Sequence, residues 1–445
     1  MKTLRFGLIK RYLRPHWKTL SIGALCIVIV NLLGVSIPLQ LKEIIDSLKD
    51  DFTMTDLLKK TGWIVILATT MGFVRLISRQ LVFGVGRQVE VNLRQRLFDH
   101  ILVQDPGWLQ EIGSGEVISR ATSDVENIRR LMGFAILNLT DTLLAYSLTI
   151  PAMISISPFL TFSSLSLYPL VLGTVGLFGG RMVRQRRLQQ EALSSLSELI
   201  QEDLSGISAI KIYGQEGYEK KAFSNLNDKY KESAINLART ASTLFPLLQG
   251  ISSISLLLLI FFGSKFLGES LTVGGLVGLI FFVNRLVFPT ALLGFTLNTF
   301  QTGQVSIERV EELLSKKPNV RNTANSIPLR EKIKGKLEAK ELTIRYEKSN
   351  KDTLQKLSFS IEPGELVAIV GPVGCGKTTL ARAIGRMVNV PKGQLFLDDY
   401  DVIDLTLEDL RKNIALVPQE GYLFTNTLSE NLRFGDPLAS LKQIE

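Results

Sequence analysis

The sequence predicts a chain in two parts: an α-helical membrane region of six spans, then the first part of an α/β domain. Three observations lead there. Long apolar stretches fill most of the first 295 of 445 residues. A polar segment with two prolines follows them. After it come short β-like runs and a strand–glycine-loop–helix pattern, "LVAIVGPVGCGKTTLARAIGRMV" (366–388).

The apolar stretches lie at 20–39, 62–86, 131–156, 159–180, 244–267 and 273–295. A bilayer core of about 30 Å needs about 20 helical residues, and each stretch meets that length. One such stretch could be a buried helix of a soluble domain; six with basic flanks read as spans. Lys2, Arg5, Lys10, Arg11, Arg14 and Lys18 precede the first, and Arg87, Arg94, Arg96, Arg120, Arg129 and Arg130 follow the second. Arg181, Arg184, Arg186, Arg187 and Lys211 follow the fourth, whereas the alternate loops are short and weakly charged. This asymmetry predicts cytoplasmic N- and C-termini. It also accounts for most of the net charge of +9 without nucleic acid as a partner. The first stretch lacks a small-residue cleavage site, so it reads as a retained span rather than a signal peptide. Two cysteines, Cys26 and Cys375, are too few for a disulfide framework.

Residues 87–130 and 181–243 are polar and helically patterned, and read as helices that continue well beyond the membrane. A linker is expected at 315–334, dividing a membrane domain (1–314) from the α/β part (335–445).

"LVAIV" is rich in β-branched residues, as in a strand buried on both faces. The glycine loop follows at once, and a helical pattern follows the loop. G-x-x-x-x-G-K-[ST] in that setting is a phosphate cradle. Gly371, Gly374 and Gly376 let backbone N–H groups approach phosphate oxygens. Pro372, Val373, Cys375 and Thr379 complete the loop and the first helical turn. The helix N-terminus adds partial positive charge. Lys377 is expected on the β- and γ-phosphates and the Thr378 hydroxyl on Mg²⁺. A dinucleotide fingerprint would lack the Lys-Thr, and a chance glycine turn would lack the strand and helix.

Together these features resemble a half-transporter of the ATP-binding-cassette exporter type, along essentially the whole chain. In "LTIRYEK", Tyr346 stands where this family stacks an aromatic on adenine. "LVPQEGYLFTNTLSENLRFGDP" resembles the family's Q-loop segment, with Gln419 where Mg²⁺ and the attacking water are sensed. "GSGEVISRATSDVENIRR" and "ELIQEDLSGISAIKIYGQE" resemble the two intracellular loops that press on the nucleotide domains. The resemblance implies ATP and Mg²⁺ as cofactors and a bilayer of the inner or plasma membrane. It also implies an amphiphilic cargo, drug or lipid, and a homodimer or a heterodimer with a paralogous half. The 445 residues depart from the family after Gln419: they hold no LSGGQ-type signature, no strand ending in Asp-Glu and no switch histidine. "GQLFLDD" (393–399) is not that strand; it is expected as a β-hairpin. A split, frameshifted or truncated gene is the expectation, with ATP bound but not hydrolysed. The alternative is a non-catalytic remnant or regulatory subunit paired with a complete partner.

Ionisable residues inside spans usually face a bundle interior or a water-filled cavity. Arg75 and Arg79 in the second stretch, Asp141 in the third, and Asn284 and Arg285 in the sixth are therefore candidates to line a substrate cavity. The competing reading is that the arginines snorkel to the interface.

Overall fold

The computed structural model describes residues 6–48, 53–268, 270–323, 326–329, 333–346, 351–419 and 421–444. Lys2, Arg5, part of the linker, Glu347, Lys348 and Glu420 fall outside these residues.

The first part is helical throughout. A short amphipathic helix, α1 (Phe6–Leu13), turns through Arg14–His16 into α2 (Trp17–Ser47). Then follow α3 (Met54–Leu102), α4 (Pro106–Ile112), α5 (Ser114–Ile156), α6 (Pro158–Ser205), α7 (Ile207–Tyr213), α8 (Glu216–Phe266) and α9 (Val273–Ser315). Six of the described helices are long and apolar enough to cross a membrane: α2 with α1, then α3, α5, α6, α8 and α9. Each carries one of the six apolar stretches. In hydrocarbon every backbone polar group needs an internal partner, which a continuous helix supplies. Pro38, Pro151, Pro246 and Pro289 sit inside these helices, which spanning helices tolerate better than soluble ones. At 49 and 51 residues, α3 and α8 run roughly 75 Å, more than twice a bilayer core.

The interior of this unit is a seam of Met153, Leu160, Leu259, Leu279, Phe282 and Leu286. Glycines let helices approach closely at two points. A Cβ on Gly274 would lie 2.2 Å from the Lys42 carbonyl, and one on Gly86 would lie 3.0 Å from the Arg129 carbonyl. Beside Gly86, buried Glu90 accepts from Arg87 at 2.9 Å and Arg94 at 2.8 Å, with Arg129 at 3.5 Å. Helix α5 is not uniform: Arg120–Asp124 and Leu131–Ala135 are π-helical turns.

The second compact unit comprises residues 314–445 together with 98–117. The segment around α4 packs on the linker: the Asp105 carboxylate accepts from the backbone N–H of Asn319 at 2.9 Å and of Val320 at 3.2 Å. Beyond the linker, β1 (Leu337–Ile344), β2 (Leu354–Ile361), α10 (Lys377–Ile384), β3 (Leu395–Leu397), β4 (Tyr400–Asp401), α11 (Leu407–Lys412), α12 (Leu428–Leu432) and α13 (Leu441–Ile444) follow. The strands form one antiparallel sheet in the order β2-β1-β3-β4, with Leu337 opposite Ile361 and Leu397. Leu342, Leu395, Val402, Leu405 and Leu410 fill its core together with Ala383 of α10.

The "GQLFLDD" stretch is the expected hairpin. Its turn residues Asp398 and Asp399 both have positive φ, 48° and 68°, as a tight two-residue hairpin turn demands. The Asp398 carboxylate accepts from the backbone N–H groups of Lys334, Gly335 (3.0 Å) and Lys336 (2.7 Å). Burial pushes this carboxyl up, but the three donors outweigh burial and hold it below the usual aspartate range.

One expectation fails here. "LVAIV" is not a ladder strand: residues 365–370 are irregular, and Leu366 and Val370 are 99% and 90% exposed. A buried parallel strand exists only when neighbours on both sides satisfy its backbone. The sheet formed by the described residues is antiparallel and does not reach this segment.

Candidate functional site

The phosphate loop is built by backbone conformation. Gly374 and Gly376 have φ of +85° and +101°, the left-handed region that residues with a Cβ avoid. Gly376 has no room for a side chain either: a Cβ would lie 2.7 Å from Leu354 Cδ2 and 3.0 Å from the Thr353 carbonyl. At Gly371 a Cβ would lie 2.7 Å from Cys375 Sγ. So β2 and the loop's own cysteine press on two of the three motif glycines.

Helix α10 opens on Gly376 and Lys377, and the Leu380 N–H donates to the Gly376 carbonyl at 2.9 Å. Thr379, Leu380 and Ala383 anchor it in the sheet core, while Thr378 faces solvent. The Lys377 ammonium bends back over the loop. It donates to the carbonyls of Gly371 (2.7 Å) and Pro372 (2.8 Å) and lies 3.8 Å from Cys375 Sγ. Pro372 and Val373 form the exposed crest, and Cys375 is an exposed free thiol.

Tyr346 follows β1, and its hydroxyl lies 3.2 Å from Thr379 Oγ1. Antiparallel pairing of β1 with β2 thus brings a residue from before the loop onto the helix after it. Gln419 is exposed in irregular chain. The turn beyond it is tied together locally: Phe424 stacks on Phe434 at 4.5 Å, and Asn431 brackets Phe424 with two backbone hydrogen bonds. These residues fit a nucleotide phosphate in one respect that can be checked: the loop bends where only glycine is comfortable, and it presents an ammonium beside a helix N-terminus.

A second constellation lies among the spans. Arg75, Arg79, Asp141 and Arg285 line one cavity of about 290 Å³, with Asn31, Asn138 and Phe288 among its other walls. Asn31, which sequence reasoning missed, is the centre. Its side-chain oxygen accepts from Arg285 Nη2 at 2.9 Å, and its nitrogen donates to Asp141 Oδ1 at 2.7 Å. It is 1% exposed. Gly34, one turn along α2, makes the notch for the arginine: a Cβ there would sit 1.3 Å from Arg285 Nη1. Among the described residues neither Arg75 nor Arg79 has an ion pair. Asn284 does not line the cavity; it is exposed. Adjacent helical residues point about 100° apart, so Arg285 and Asn284 cannot both face it. The signal for Asn31 was an amide inside an apolar run, which is weak until its partners are known.

Comparison with known proteins covers both parts of the chain. The profile of the ABC transporter transmembrane region matches residues 20–290, and the ABC transporter profile matches residues 354–445. A multidrug resistance-like ATP-binding protein of Buchnera aphidicola is 27% identical, over 98% of this chain and 76% of that protein. Its Escherichia coli counterpart is 26% identical, over 99% of this chain and 75% of that protein. An ATP-dependent lipid A-core flippase of Aromatoleum aromaticum is 29% identical, over 84% of this chain and 61% of that protein. With six spanning helices ahead of a phosphate-type loop and a matched profile over each part, the chain belongs to the ABC transporter family.

Proposed function

We propose that this chain is one half of a dimeric exporter that uses ATP to move an amphiphile, drug or lipid, across the plasma membrane. The observation that carries the reading is the loop at the start of α10, where positive-φ glycines and the Lys377 ammonium meet a helix N-terminus. Gly371, Pro372, Val373, Gly374, Cys375, Gly376, Lys377, Thr378 and Thr379 would hold the phosphates. Tyr346 would stack on the adenine, and Thr378 with Gln419 would hold Mg²⁺. Bound ATP supplies the free energy of phosphoryl transfer, with Mg²⁺ offsetting phosphate charge.

Binding obliges Lys377 to leave the Gly371 and Pro372 carbonyls for phosphate oxygens, exchanging neutral acceptors for charged ones. Turnover also needs a carboxylate to orient water and a signature loop from the partner, neither of which is among residues 1–445. The polypeptide 1–445 is therefore proposed to bind nucleotide without hydrolysing it. The same reading places both termini in the cytoplasm and divides the chain at 315–334. A non-catalytic half paired with a complete partner fits the same residues, and the site gives no reason to prefer it.

The spanning cavity sets the sign of the cargo. Three guanidiniums face one carboxylate there, so an anionic amphiphile suits it better than a cationic drug. The lipid A-core flippase among the relatives fits a lipid cargo.

To test this, the chain is purified in detergent, titrated with a fluorescent ATP analogue and assayed for phosphate release. Saturable binding without release is expected. Release that Lys377→Ala abolishes would place the catalytic carboxylate within these residues and overturn the proposal. Equal affinity for anionic and cationic amphiphiles, unchanged by Arg75→Ala, would overturn the cargo assignment.

A further inference from the structure

A second basic cavity lies far along the chain from the phosphate loop, between the α1–α2 elbow and α3. It measures about 190 Å³ and is lined by Arg11 and His16 from the elbow and by Asn92 and Arg96 from α3, over a floor that includes Val89 and Leu93. The floor is apolar and buried, at 2% exposure for each of those residues. The polar lining donates hydrogen bonds and includes no carboxylate. One carboxylate stands behind it: Glu311 of α9 lies 3.5 Å from Arg11 Nη1 and 3.9 Å from Arg96 Nη1, and accepts from the Tyr12 hydroxyl. A single acid held by a tyrosine cannot neutralise two guanidiniums. Both arginines remain largely exposed, at 64% and 51% of the side chain, so their other N–H groups are open to the cavity.

Its depth relative to the bilayer narrows the ligand. Val89 to Arg96 lie three to ten residues past the end of the apolar stretch of α3 at 86, so about 5–15 Å beyond the hydrocarbon. The headgroup layer extends roughly 5–8 Å beyond the hydrocarbon, so the Val89 end of the cavity lies within it and the Arg96 end lies past it. Trp17, at the elbow, is 62% exposed at the head of α2, as residues of the aromatic interface belt are. Drug-sized ligands occupy about 300–1,000 Å³. At about 190 Å³ this cavity has room for one headgroup rather than for a drug-sized ligand.

We propose that the elbow cavity binds the phosphodiester headgroup of an anionic phospholipid, taken from the leaflet on the N-terminal side. Arg11 and Arg96 clamp the phosphate, with Asn92 and His16 on the headgroup oxygens. Glu311 positions the two arginines and limits the affinity by competing for them. Because Glu311 lies on the spanning helix that leads to the linker, the bound lipid ties the N-terminal elbow to α9. This site is distinct from the Arg75–Arg285 cavity and does not depend on what that cavity carries.

The test is native mass spectrometry of the purified chain titrated with phosphatidylglycerol or phosphatidylcholine. One phosphatidylglycerol should be retained at concentrations at least tenfold below those needed for phosphatidylcholine. Arg11→Gln with Arg96→Gln should remove one phosphatidylglycerol from the count, while any lipid in the Arg75–Arg285 cavity stays. Glu311→Gln keeps both guanidiniums and should tighten retention about threefold. An unchanged count in the double variant, equal retention of the two lipids, or no tightening in Glu311→Gln would overturn the proposal. Displacement of the lipid by millimolar inorganic phosphate would reassign the cavity to a free phosphate ion and would also overturn it.

Discussion

The phosphate loop and the spanning cavity bind charge in opposite ways. The loop is made of backbone: three glycines, the first turn of α10 and one lysine, all within nine consecutive residues. The cavity is made of side chains from α2, α3, α5 and α9, and its centre, Asn31, lies 254 residues from Arg285. A backbone site depends on conformations that only certain residues adopt, so it is written as a motif. A side-chain site depends on which helix faces meet, and no local stretch records that.

The comparison breaks most sharply at Lys377. Lys377→Ala removes the one charged side chain of the loop, and a hydrogen bond to a charged group contributes about 1.5–3 kcal/mol. Nucleotide affinity should fall roughly 10- to 100-fold while the cavity is untouched, as measured by titration with a fluorescent ATP analogue. Retained affinity would mean that the glycine backbone alone holds the phosphates.

Asn31→Leu is the matching test in the spans. It leaves Arg285 and Asp141 without the amide that joins them, and unpartnered buried charges cost about 3–5 kcal/mol. The thermal midpoint of the purified chain should drop by several degrees, with nucleotide binding unchanged. Asn31→Asp should recover part of the loss by pairing directly with Arg285. If Asn31→Leu is as stable as the parent, the relay contributes nothing.

Cys375 sharpens the contrast through access. It is exposed beside Lys377, whereas Cys26 is half-buried within α2. A water-soluble maleimide should label Cys375 severalfold faster than Cys26, and Mg-ATP should slow only the former. Mass spectrometry of the labelled peptides gives both rates, and equal labelling with and without nucleotide would separate this thiol from the site.

The smallest effect concerns Asp398. Its folded pKa lies below the ordinary value of 3.8. Its stabilisation is therefore complete above about pH 4 and is lost as pH falls through the lower, folded value. Asp398→Asn should cost about 1 kcal/mol at pH 7 and less at pH 3, read by urea unfolding of the chain at the two pH values.

How much was legible follows the same division. The six spans needed only composition and length, because a spanning helix satisfies its own backbone. The hairpin at 393–399 was expected from the family resemblance rather than from its own residues; the positive φ of Asp398 and Asp399 emerges only in the structure. The strand before the loop was not legible, because a parallel strand is defined by its neighbours rather than by its own residues. Asn284 was misplaced and Asn31 missed for one reason: helix facing is a property of packing. The pairing of residues 98–117 with the second unit was also invisible, since nothing in "QDPGW" states that Asp105 will cap Asn319.

Helix α5 shows how far a sequence wheel can mislead. Each π-helical turn adds about one residue to the helical count and rotates everything after it by about 100°. On an unbroken helix the two aspartates of α5, Asp124 and Asp141, would lie about 100° apart around the axis. The second π-helical turn, Leu131–Ala135, lies wholly between them, and the first ends at Asp124 itself. The one extra residue between them moves the two aspartates to about 160° apart, on opposite sides of the helix. One inserted residue is thus enough to re-aim a whole spanning face. The orientation of Asp141 toward Asn31 depends on the phase slip at Leu131–Ala135 as much as on the residue itself.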